Sequence, residues 1–149
     1  MCKKTNSKGT LTGINELIGT PSYMSPEQAR GLNVDHRSDI FALGSVLYRT
    51  ITGCPPFNGH DIAAVVFEIV FRHPERPSHL VEDLNPDVDR VLAIALSKER
   101  EQRFDSAGEF AAAFGKAVDG KLSEELRARG DEALTAGIQA VKKTLRRRL

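Results

Sequence analysis

The side chains of this sequence with the chemistry to act fall into three groups: histidines and cysteines, isolated acids beside helix-start signals, and threonines in turns. The four histidines, His36, His60, His73 and His79, are scattered. None has the i, i+4 spacing that sets two imidazoles on one helix face. Cys2 and Cys54 form no C-x-x-C pair, so no zinc site is expected. No other metal site is expected either. Glu27 follows Ser25-Pro26 and, judged by itself, is a first-turn acid that favours the positive end of a helix. Asp39 reads in the same way as a helix-start residue, and Thr20 before Pro21 as turn chemistry.

Bulk properties narrow the classes. A chain of 149 residues, 40% hydrophobic and 28% charged, has the composition of one globular domain. Its net charge of +1 supplies no global field to recruit nucleic acid. The charge is uneven: residues 121–149 hold eight Lys/Arg against four Asp/Glu, a local +4 that leaves the first 120 at −3. Lys142, Lys143, Arg146, Arg147 and Arg148 crowd one end. Such a basic helix can touch anionic lipid, but a solvated helix end is the plainer reading. Met1 to Lys8 is basic with no apolar run behind it, so neither a signal peptide nor a span is expected. A reducing, cytoplasmic setting is the default.

The elements that position these residues read as helices. Residues 1–18 are polar and aperiodic, a loop. Ser25-Pro26-Glu27-Gln28 combines an N-cap, a proline at the first helical position and a capping-box glutamine, and Gly31 stops the helix. The run from Asp39 to Thr52 is apolar nearly all round, which suits a helix inside a larger body. Ile62, Val65, Val66, Ile69 and Val70 form one stripe, with Phe67 and Phe71 off it. After Pro74 and Pro77, Asn85-Pro86 opens a helix carrying Val88, Val91, Leu92, Ala95 and Leu96. Ser106 and Glu109 make a capping box before Phe110, Phe114 and Ala117/Val118, and Gly120 closes that helix. The last segment sets Leu134, Ile138, Val141 and Leu145 on one face, interrupted by Gly130 and Gly137 at about 1 kcal/mol each relative to alanine. No strand pattern of period two stands out.

Four blocks in this order resemble a known family. Gly19-Thr20-Pro21-Ser22-Tyr23-Met24-Ser25-Pro26-Glu27-Gln28 resembles the end of a protein kinase activation segment, G-T-x-x-Y-M-(A/S)-P-E. It is particularly similar to bacterial serine/threonine kinases. Asp39-Ile40-Phe41-Ala42-Leu43-Gly44 resembles the start of the kinase central helix, and Gly53-Cys54-Pro55-Pro56-Phe57 the G-x-x-P-F loop. Arg103 sits where the family places an arginine before its last core helix. Shared order and spacing over residues 19–118 make the set far more specific than any one block.

The resemblance implies a mainly α fold, a partial kinase C-lobe with an added C-terminal helix. The expected domains are an activation-loop remnant (1–18), a partial C-lobe (19–119) and a basic helical extension (120–149). Thr20 is expected to support catalysis by bonding the catalytic aspartate and a nearby lysine. Gly19, Thr20, Pro21, Ser22 and Tyr23 would form the pocket for the residue after the phosphorylated Ser/Thr. Glu27 would pair with Arg103, and Asp39 would hold the catalytic loop through its backbone N–H groups. Thr10 and Thr12 are candidate phosphosites, where a phosphate would bring about −1.5 to −2 charge beside Lys3, Lys4 and Lys8. Phe67 and Phe71 could form a protein-docking face, although partly buried packing is the plainer reading.

The family's Gly-rich loop, ATP-binding lysine, H-R-D and D-F-G motifs are not found in residues 1–149. Two expectations follow: the chain alone holds no cofactor and does not phosphorylate, while the full-length family member uses ATP and Mg. A protein substrate, a partner kinase and a missing N-terminal kinase half are the expected partners. Met1 is then an internal methionine or a new start. The alternative is a non-catalytic regulator or scaffold that binds kinases or substrates through the C-lobe surface.

Overall fold

A computed structural model describes the backbone of residues 21–146 and the side chains of residues 21–136. Gly19, Thr20, Thr10, Thr12 and the loop 1–18 lie outside the described residues, as do Arg147 and Arg148 and the side chains of Ile138, Val141, Leu145, Lys142, Lys143 and Arg146. The described residues form helices and short 3-10 turns, with no strand among them.

A 3-10 turn at Pro21–Tyr23 leads into α1 (Pro26–Ala29). Both halves of its capping box are made: Gln28 N donates to Ser25 Oγ, and Ser25 N to Gln28 Oε1. Next come α2 (His36–Thr52), α3 (Ile62–Phe71) and the single turn α4 (Pro77–Leu80). Three longer pieces complete the chain: α5 (Pro86–Ala95), α6 (Ala107–Val118) and α7 (Glu124–Arg146). The start of α2 lies ahead of Asp39, because the Asp35 carboxylate accepts from Arg37 N and caps the helix there. It ends at Gly53, whose φ of 76° is left-handed backbone that glycine adopts without a Cβ penalty.

The apolar residues of α2 divide between two faces. Ile40, Phe41 and Tyr48 are buried, while Leu43 and Val46 are exposed. Along α3, Val65, Ile69 and Val70 face the core, and Ile62, at one end of the expected stripe, is exposed. At α6 the box is offset: Glu109 N donates to Ser106 Oγ, but the Glu109 carboxylate accepts from Asp105 N. Ala117 is the buried member of its last turn, and Val118 is exposed.

The packing centre is α5, which α6 and α7 flank and which α2 and α4 also touch. It buries Val88, Val91, Leu92, Ile94, Ala95 and the following Leu96. Gly130 marks where α7 crosses it. A Cβ there would lie 2.9 Å from Arg90 Cα and closer still to Arg90 Cβ. The glycine, expected as an interruption, is what lets the helices approach. Arg127 reaches back to Asp87 and Arg90 reaches across to Asp131, so residues 120–136 are tied to the body. No described helix is long and apolar enough to cross a membrane.

Candidate functional site

Around the carboxylate of Glu27, α1, α2 and the segment before α6 converge. Arg103 Nη1 donates to Glu27 Oε1 at 2.7 Å, and Nη2 to Oε2 at 2.8 Å. This two-pronged pair is buried, with the Arg103 side chain fully so. The other donors are used as well. Nε bonds Ser97 O, Nη1 also reaches Arg37 O, and Nη2 also reaches Lys98 O. A guanidinium has five N–H groups, and here each has an acceptor. The Phe41 ring lies 5.0 Å from the guanidinium carbon, closing the apolar side.

Ser38 donates from Oγ to Glu27 Oε1 at 2.6 Å. Burial raises the affinity of the Glu27 carboxyl for a proton, but the bonds from Arg103 and Ser38 outweigh it and hold the group at about 2. Glu27 is therefore an anion over the whole neutral range, its carboxylate committed to Arg103 and Ser38. It is an anchor that fixes α1, and with it the Pro21–Tyr23 turn, to the body.

Lys98 borders the same anchor. Its Nζ donates to Ile69 O at 2.7 Å and sits 4.1 Å from the Phe57 ring centre. Burial, then the charge of Arg103, push its ammonium down to about 7, with Glu68 opposing. Its surroundings, Ser97-Lys98-Glu99-Arg100, are polar in sequence. Ser38 and Lys98 thus carried no local signal.

Pro21, Ser22 and Tyr23 are half-buried, in a turn packed against α2 and α3. Arg49, in the last turn of α2, donates from Nη1 to the Tyr23 hydroxyl at 2.8 Å. Asp39 is next to Ser38 in sequence, yet its side chain is exposed and has no hydrogen bond or ion pair with a described residue. Phe67 and Phe71 are 50% and 59% exposed, with ring centres 5.0 Å apart. Each side chain is thus partly covered and partly open to solvent. Behind Phe71 a groove of about 750 Å³ runs along Glu68, His73, Pro77, Leu92 and Leu134.

Among the described residues there is no cluster of three or more His, Cys, Asp or Glu side chains placed to hold a cation.

Comparison with known proteins gives a consistent answer. Residues 1–112 match the protein kinase domain. A probable serine/threonine-protein kinase PknB of Corynebacterium glutamicum is 40% identical over 127 residues, covering 83% of this chain and 20% of the relative. PknB of Mycobacterium tuberculosis is 41% identical over 119 residues, covering 80% of this chain and 19% of the relative. PknB of Mycobacterium leprae is 44% identical over 103 residues, covering 69% and 17%. The chain spans about a fifth of the length of the curated relatives it matches.

Proposed function

The chain belongs to the protein kinase family, in its bacterial serine/threonine branch, and from that premise we propose that it forms the substrate-facing part of such a kinase. The full protein would phosphorylate Ser/Thr residues of other proteins with ATP and Mg. The nucleotide-handling groups would come from residues other than these 149, and the chain alone would not transfer phosphate.

The observation that carries this reading is the buried Glu27–Arg103 pair. It holds α1 rigidly, and so presents the Pro21–Tyr23 turn beside α2 and α3. In this reading Gly19 to Tyr23 receive the residue after the phosphoacceptor, and Thr20 orients the hydroxyl. The exposed Asp39 carboxylate takes backbone N–H groups of a catalytic loop supplied from elsewhere. Thr10 and Thr12 are phosphosites that order the preceding loop.

Exposure of Phe67 and Phe71 favours a second reading, in which the chain is a non-catalytic regulator or scaffold docking a kinase or substrate through α3. One experiment addresses both. The purified chain is given Mg–ATP and Ser/Thr peptides, and both transfer and binding are measured. Saturable binding without transfer is expected. Transfer by the chain alone overturns the catalytic assignment, and absence of any binding overturns the substrate-facing one.

A further inference from the structure

Arg49 is a cation held in place with no anion among the described residues. Its Nη1 is committed to the Tyr23 hydroxyl at 2.8 Å. Its side chain is exposed, and no described carboxylate lies within ion-pair distance. Arg37, Arg90, Arg100, Arg103 and Arg127 each hold an acid. Arg49, like Arg30, Arg72, Arg76 and Arg129, holds no described one, but among these its guanidinium is the one tied to a side chain of another element, the Tyr23 hydroxyl. Arg49 is also anchored at its root: it lies in the last turn of α2, and its carbonyl takes the capping Gly53 N–H.

The phenol that holds it is itself fixed. Tyr23 is half-buried in the turn that packs against α2 and α3. One of the five guanidinium donors points at this phenol, and the remaining four have no described acceptor. A planar fork already oriented, with donors to spare, is pre-organised for a carboxylate. A guanidinium needed only to fasten the turn would serve as well with an acid beside it, and none of the described residues supplies one.

We propose that Arg49 is a specificity-determining residue: mounted on Tyr23, it binds an acidic side chain flanking the phosphoacceptor of a protein segment laid on the Pro21–Tyr23 turn, and it disfavours basic ones. This rests on the reading that the turn receives protein substrates, and it names the substrate class: acidic Ser/Thr segments.

The test uses fluorescence anisotropy on the whole 149-residue chain. Two labelled threonine peptides of equal length are compared, one with glutamates flanking the threonine and one with lysines. The glutamate peptide is expected to bind about two- to fivefold tighter, the range of an exposed ion pair, with the gap shrinking at high salt. Arg49→Gln should remove the preference and Arg49→Glu should invert it. An unchanged preference in Arg49→Gln, a gap insensitive to salt, or a wild-type chain that favours lysine overturns the role of Arg49 while leaving the docking reading intact. If neither peptide binds, the docking reading fails and this proposal with it. The salt series on the wild type reads the preference even where a variant folds poorly.

Discussion

Arg103 and Glu27, 76 positions apart, meet in a buried two-pronged ion pair in which every guanidinium N–H has an acceptor. Removing one partner leaves the other buried and uncompensated. Glu27→Met or Arg103→Met should therefore each cost about 3–5 kcal/mol, measured by urea unfolding of the purified chain. The double variant should cost less than the two singles added together, since it strands no charge. Strict additivity would mean that the pair does not interact.

The two shifted groups at this anchor act at opposite ends of the pH scale. Glu27 is held at about 2 against an ordinary 4.5. Its stabilisation is complete above 4.5 and is lost as pH falls toward 2. Lys98 is depressed to about 7 from 10.5. Between these values the unfolded chain binds the extra proton, so stability should rise with pH over that window. Tyr48 works against this at the top, because burial followed by the charges of Glu75 and Asp89 lifts its hydroxyl to about 12. A neutral phenol retained in the fold costs stability above 10. Chemical denaturation across pH should show a rise from 7 toward 10 that flattens in Lys98→Met.

Legibility in the sequence followed the range of the interaction. Helices were readable because their signals are local: the Ser25–Gln28 box and the α5 stripe lie within a few residues of each other. Asp35 as the cap of α2 was equally local, but it was hidden by the motif that begins at Asp39. Nothing local joins Glu27 to Arg103, and the resemblance of whole motif blocks was the only signal that set them side by side. The ties Asp87–Arg127 and Arg90–Asp131 had no signal, because they exist only once α7 lies on α5. Arg49 had no signal either, since its meaning depends on where Tyr23 sits.

Gly130 gives a case where propensity and packing predict opposite signs. Alanine should favour a helix interior by about 1 kcal/mol over glycine. At this position, however, the added Cβ would lie 2.9 Å from the Arg90 Cα, a backbone atom that cannot move aside alone. Forcing α5 and α7 apart should cost about 1–3 kcal/mol, and it would also strain the Arg127–Asp87 and Arg90–Asp131 ties. Gly130→Ala is expected to lower the denaturation midpoint. A raised midpoint would show that α7 does not press on α5 at this crossing.

Phe67 and Phe71 should behave in the opposite way. Both rings are at least half exposed and touch each other on the outer face of α3, so only part of their apolar area is removed from water in the fold. The inner face carries the burden instead, through Val65, Ile69 and Val70. Phe67→Ser/Phe71→Ser should therefore cost about 1–2 kcal/mol per site for the covered part of each ring, well below the about 3–5 kcal/mol of truncating a fully buried phenylalanine. The same double substitution removes an exposed apolar patch of the kind that drives association. Sedimentation velocity should find less self-association in the variant than in the wild type at equal concentration. Large destabilisation by these serines would mean that α3 relies on its outer rings, and unchanged association would clear this patch as the contact.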